Sequence, residues 1–192
     1  MPRDTAAATK EALLSAAREE FAAHGIAGAR VDRIAERAGV NKERIYGHFG
    51  NKEKLFDAVM SQVLDEVIEM VSRDFGDPGE YVARMYDYHR AHPDLLRLML
   101  WEALQYGDQR DYDDGRRAHY RTKMESLASG LGAEPSVDVG RTLVTLCGLA
   151  GWSNAVPQIA RLVLGPDADD QDAMRAHLID FARSAVGRTT PA

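Results

Sequence analysis

The chain has 192 residues, 45% hydrophobic and 28% charged, a balance ordinary for a globular protein with a buried core. One cysteine excludes an intrachain disulfide and any multi-cysteine metal site, and Cys147 among apolar neighbours reads as a packed thiol. The net charge of −6 weighs against nucleic acid as a partner until its distribution is read. Residues 1–58 hold ten Lys and Arg against nine Asp and Glu, and the remainder holds fourteen against twenty-one, so the acid is concentrated in the second part. The opening MPRDTAAATK carries no apolar leader, and the longest greasy stretch, LVTLCGLAGW at 143–152, is too short to cross a bilayer. A cytoplasmic protein with no membrane partner is expected.

Helix signals dominate and strand signals are almost absent, so the expected fold class is all-α. In the first helix, residues 10–24, Leu14, Ala17 and Phe21 recur at spacings of three and four, Thr9 serves as N-cap and Gly25 ends the run. Phe21 and Ile26 suit a Schellman closure at that glycine. Val31, Ile34, Ala35 and Ala38 mark one face of a two-turn helix closed by Gly39. Asn41 caps a third helix whose inner face carries Ile45 and Phe49. Two short helices joined by a Gly-Val-Asn turn and braced by the first form a helix-turn-helix.

The outer face of the third helix carries the functional signal. With Ile45 inward, at about 100° per residue, Glu43 and Gly47 point most directly away and Arg44 and Tyr46 flank them. A helix lying in the major groove needs a long hydrogen-bonding side chain near its N-terminus, a small residue where backbone approaches the bases, and cations at its rims. Arg44, Gly47, and Lys42 with His48 supply these in turn. Asn51 then caps a fourth helix whose free amides and Lys52 form a site for one backbone phosphate.

The stretches KEALLSAAREEFAAHGIAG and VDRIAERAGVNKERIYGHFGNKEKLFDAV resemble the DNA-binding region of tetracycline-repressor (TetR) type bacterial regulators over residues 9–60. The shared pattern is Phe-x-x-x-Gly at residues 21–25, Ile-Ala-x-x-Ala-Gly-Val at 34–40, Tyr-x-x-Phe at 46–49, and Lys52-Glu53 opening the fourth helix. Where such regulators often cap the second helix with Ser or Thr, this chain has Ala29 and Arg30, which makes Arg30 a candidate phosphate contact. Glu43 and Arg44 replace a small residue and a threonine common in relatives, so their operator sequences do not transfer.

Past residue 60 the resemblance fades. The fourth helix continues through Val63, Val67 and Val71 as a lever between domains, residues 76–79 break it, and residues 81–91 form a fifth helix stopped before Pro93. The sixth, residues 93–106, places Glu102 on an apolar stripe, where it either pairs with an arginine such as Arg84 or Arg121 or faces a ligand. His89, His92 and Glu102 lack metal-ligand spacing, so no metal is expected. A helix bearing Tyr120 and Met124 follows, then SVDVGRTLVTLCGLAGWSNAV, apolar nearly all round and expected to be buried on all sides, with Gly140, Gly148 and Gly151 admitting close helix approach. The last helix, residues 171–186, shows Met174, Leu178, Phe181 and Ala185 on one face, and the tail GRTTPA is expected to be disordered. Excess apolar face on the last two long helices points to a homodimer.

These readings give a helix-turn-helix DNA-binding domain at residues 1–55, joined by a long helix to a helical effector-binding and dimerisation domain at 56–192. The resemblance implies the same arrangement, with a homodimer on double-stranded DNA carrying a palindromic operator and a small-molecule effector that releases a repressor. The expected DNA-binding residues are Arg30, Lys42, Glu43, Arg44, Tyr46, Gly47, His48 and Lys52. Large apolar side chains and polar anchors on the middle helices nominate Trp101, Glu102, Tyr106, Tyr120, Met124, Trp152 and Asn154 for the effector. No glycine-rich phosphate loop, activated nucleophile or compelling carboxylate pair is present, so no enzyme, catalytic residue or cofactor is expected. The alternative is a small all-helical enzyme or small-molecule-binding protein without DNA readout.

Overall fold

The computed structural model describes residues 2–71, 77–108, 110, 112 and 114–187. They form α1 (Pro2–Gly28), α2 (Val31–Arg37), α3 (Lys42–Phe49), α4 (Lys52–Val71), α5 (Pro78–Ala91), α6 (Pro93–Tyr106), α7 (Asp114–Gly130), α8 (Val137–Ala155), α9 (Pro157–Leu164) and α10 (Gln171–Gly187), with a 3-10 turn over Gly165–Asp169 and no strand among the described residues. The fold is all-α, as expected. The chain packs as two units, Met1–Asp65 with Arg97–Asp111, and Glu66–Leu96 with Tyr112–Ala192, so α4 and α6 each begin in one unit and end in the other. The expected break at residues 76–79 lies partly, and the tail at 187–192 almost wholly, outside the described residues.

In the first unit α1 starts earlier than expected, at Pro2, and Thr9 lies inside it instead of capping it. Proline suits a first helical position and the alanines after it are strong helix formers, so nothing stops the helix before Thr9. At Gly25 (φ 67, ψ 176) the helix breaks, and residues 26–28 add one further turn. That ψ is extended, so the Schellman closure expected at Gly25 does not form there. It forms one element later. Gly39 (φ 69) closes α2 as its N–H donates to the Glu36 carbonyl at 3.1 Å and the Val40 N–H to that of Ala35 at 3.0 Å. Leu13, Phe21, Ile34, Ile45, Leu55 and Phe56 are fully buried, and Phe21 meets Phe56 edge to face at 5.2 Å.

In the second unit α5 packs against α8 and α10, and α7 packs on α8. Asp77 caps α5 by accepting from the Gly79 N–H at 2.9 Å, and its carboxylate also receives Arg183 of α10. That hydrogen bond from Arg183 holds the Asp77 carboxyl below its ordinary range, against the effect of burial. The expectation that α8 is buried on all sides needs correction. Val139, Leu143, Leu146 and Ala150 are buried, but Val144 is 73% and Trp152 59% exposed, because a single chain covers only one side of the helix. On α10 the buried positions are Leu178, Ala182 and Val186, and Phe181 is half-exposed. An additional helix, α9, intervenes, with Pro157 at its first turn.

Candidate nucleic-acid interface

α3 is anchored from both ends. Its N-cap, Asn41, accepts the Arg44 N–H at 3.3 Å, and Ile45 and Phe49 enter the core. Lys42, Glu43, Arg44, Tyr46, Gly47 and His48 are all exposed, so the structure gathers the six α3 candidates on one solvent face. Gly47 is the informative one. A mid-helix glycine costs about 1 kcal/mol against alanine, yet outside its own helix no atom of the described residues lies within 4 Å of the Cβ it lacks. The fold makes no use of its smallness; a partner approaching the helix backbone would.

The flanking candidates sit at helix starts. Asn51 accepts the Lys54 N–H at 2.7 Å, capping α4, and Lys52 reaches the carbonyls of Ala27 and Ala29 at 3.4 Å, which places its ammonium beside the α1–α2 junction. Lys42 lies 3.6 Å from Asp32 in an exposed pair worth at most about 1 kcal/mol. Arg30 is exposed at the N-cap of α2, where its own side chain makes no cap bond.

The start of α2 is held instead through Glu20. Only 1% exposed, it accepts the Arg30 N–H at 2.9 Å and Arg33 Nε at 2.8 Å, tying α1 to the start of α2. Burial by itself raises its pKa, but Arg33 and the Arg30 amide outweigh burial and hold the carboxyl below its ordinary range. Sequence reasoning missed this pair. The signal was present: Glu20 follows Ala16 and Ala17 at the spacing of the buried α1 face.

Residues 97–110 brace the same unit. Ala22, in the last turn before the break in α1, has a carbonyl free to accept from Arg97 Nε at 2.7 Å and Trp101 Nε1 at 3.3 Å. The Trp101 indole lies against Gly25, where a Cβ would come within 2.8 Å of Cδ2. Glu102 accepts from Arg110 at 2.7 Å, an arginine neither of whose expected alternatives, Arg84 and Arg121, fills this place. Arg110 also pairs with Asp57 and stacks 4.5 Å over the Tyr106 ring. Burial, then Glu53 and Glu102, pushes the Tyr106 hydroxyl up.

The effector candidates fall in both units: Trp101, Glu102 and Tyr106 belong to the first, and Tyr120, Met124, Trp152 and Asn154 to the second. Asn154 lines a cleft of about 110 Å³ with Tyr86, Ser153, Arg161, Gln171 and Met174, and its Nδ2 and Ser153 Oγ are buried without partners. Tyr120 lies over Lys123 at 5.6 Å, and Met124 packs near Gly140 of α8. Among the described residues no group of three His, Cys, Asp or Glu side chains is placed to hold a metal, and no helix is long and apolar enough to cross a membrane.

Comparison with known proteins agrees with this geometry. Residues 13–59 match the family described as bacterial regulatory proteins, tetR family, and residues 77–184 match the tetracyclin repressor-like C-terminal domain. The chain is 38% identical over 188 residues to the HTH-type transcriptional repressor SCO4008 of Streptomyces coelicolor, covering 94% of this chain and 96% of that one. The crystal structure of the transcriptional regulator SCO4942 from Streptomyces coelicolor is similar with a TM-score of 0.74 and 34% identity, covering 95% and 98%. FadR of Bacillus subtilis, solved with stearoyl-CoA, shares the fold at a TM-score of 0.62 and 18% identity, covering 91% and 97%. With a helix-turn-helix whose outward face is polar and both parts of its length matched, this chain belongs to the TetR family of DNA-binding transcriptional regulators.

Proposed function

We propose that the protein is a homodimeric repressor that reads a pseudo-palindromic operator with two copies of α3, placed in major grooves roughly 34–36 Å apart. The observation that carries the reading is Gly47, a mid-helix glycine with open space above it, at the centre of an exposed face with Arg44 beside it. Arg44 reads a base edge, Glu43, Tyr46 and His48 line the groove, and Arg30, Lys42 and Lys52 meet phosphates. Pairing of two chains is supported by the bare stripe Val144, Gly148 and Trp152 on α8, where a Cβ on Gly148 would meet nothing but its own helix within 4 Å, and by exposed Phe181 on α10.

The effector is a small molecule held in the second unit, with Tyr120, Met124 and Asn154 among its contacts. Trp101, Glu102 and Tyr106 act at the other end, through α1 and Arg110, in bracing the reading head. α4 and α6 are two helices that run from one unit into the other, and binding shifts operator affinity only by its differential affinity for the two states of the dimer. The relatives are regulators, and the protein acts by binding, not by catalysis. The test is the stoichiometry and salt dependence of a duplex obtained by selection from random sequence. Two chains per duplex and a log K that falls linearly with log salt are expected. One chain per duplex, or no salt dependence, would refute the dimeric reading head.

A further inference from the structure

The second unit buries a group of nitrogen-bearing side chains with no negative partner among the described residues. Lys123 on α7 is 6% exposed, His119 one turn before it 8%, and His89 on α5 4%. Among the described residues no carboxylate lies within 4 Å of the Lys123 ammonium, which faces the ring of Tyr120 and the neighbourhood of Cys147 on α8. His89 Nδ1 and His119 Nε2 are buried without hydrogen-bond partners. The bare Cα of Gly151 seats the His89 imidazole against α8, where a Cβ would stand 3.6 Å from Nε2. The Tyr81 hydroxyl, fully buried, lies 3.1 Å from Cys147 Sγ.

An isolated buried ammonium is strongly unfavourable, and proteins that bury one pair it. Here both imidazoles feel Lys123 as a like charge, and burial with that charge lowers their pKa to about 4, leaving them neutral and able to donate. Burial likewise lowers the Lys123 pKa. Two elements, α7 and α5, thus bring three nitrogen-bearing side chains into the buried part of this unit, and no carboxylate among the described residues pairs with them. Retaining such a group against stability is the mark of a binding site and not of a core.

We propose that Lys123, His119 and His89 form the recognition end of the effector site, and that it takes an organic anion, a carboxylate or phosphate monoester, whose flat or apolar body lies against Tyr120 and Tyr81. This rests on the effector reading above and names the ligand class for it. The anion accepts from the Lys123 ammonium and from the imidazole nitrogens, and so supplies the charge the fold lacks.

The experiment is thermal denaturation of the full chain without DNA, against benzoate, octanoate and phenyl phosphate, with uncharged benzamide beside them. At about a hundred times its Kd an accepted anion raises Tm by roughly 5–10 °C, and benzamide does not. Benzoate or octanoate against phenyl phosphate decides which acid is taken. Lys123→Met is expected to melt higher than wild type and to lose the response, while Lys123→Arg keeps part of it. Should Lys123→Met fail to fold, Lys123→Gln serves, judged by the same loss of response. Equal shifts with benzamide and benzoate, no shift with any of the three anions, or a lower-melting Lys123→Met that keeps the response would each overturn the assignment. Because no duplex is present, failure here leaves the DNA reading intact, and failure to select a duplex leaves this site intact.

Discussion

Gly25 and Trp101 are made for each other: the glycine takes a backbone conformation that a side chain resists, and the indole occupies the space its Cβ would fill. Just before this break the Ala22 carbonyl accepts from both Arg97 and Trp101. Gly25→Ala combines backbone strain with overpacking and should destabilise by about 2–4 kcal/mol, lowering Tm by several degrees. Trp101→Leu in that background should restore part of the loss, because the ring contact is relieved while the strain stays. A Gly25→Ala protein melting like wild type would contradict this packing.

Glu20 organises the start of α2, so its loss should reach DNA binding without touching DNA. Glu20→Gln leaves buried donors poorly matched and should cost about 1–3 kcal/mol, less than a fully buried ion pair because Arg33 is 39% exposed. Operator affinity should fall with stability, and the selected sequence should stay the same. A changed sequence preference would instead make Glu20 part of the readout.

The helix-turn-helix was legible residue by residue because its turns are fixed by local chemistry: Asn41 and Asn51 cap as expected, and Gly39 takes the positive φ that closes α2. Three things escaped the sequence. Long-range partners such as Glu20 with Arg33 and Glu102 with Arg110 depend on which helices pack, which spacing along one helix does not encode. α9 escaped because its eight residues between Pro157 and Gly165 are shorter than a periodicity window resolves. The effector residues were chosen as large apolar groups with Glu102 and Asn154 as polar anchors, whereas the buried Lys123 and His119 lie on α7, whose sequence looks solvent-facing.

Acid should unfold the protein in two stages. His89 and His119, pushed down to about 4 by burial and by Lys123, are neutral in the folded chain, whereas the unfolded chain takes up these protons below about pH 6.5. Their contribution is fully present above pH 6.5 and is lost as pH falls toward 4. Glu20 and Asp77, held below the ordinary carboxylate range, extend the loss to lower pH. Melting temperature against pH should therefore decline from about 6.5, and His89→Asn with His119→Asn should flatten the upper part of that decline. A flat profile between pH 7 and 4.5 would show that these imidazoles are not desolvated.

Val144→Glu puts a charge in the bare α8 stripe, one turn from Gly148. Sedimentation velocity should show a folded monomer and operator affinity should collapse, since one half-site offers too few contacts. A dimer that survives this change has its interface elsewhere.

The central claim is that the outer face of α3 reads DNA, and the direct measurement is parallel selection from a random duplex library by wild type and by Arg44→Ala and Lys52→Ala. Wild type should enrich one pseudo-palindrome. Arg44→Ala should lose about 1–3 kcal/mol of discrimination at one position in each half-site. Lys52→Ala should keep the sequence, bind all duplexes more weakly and show a shallower salt dependence. Enrichment of no sequence by wild type, or an Arg44→Ala selection indistinguishable from it in sequence and affinity, would contradict the account.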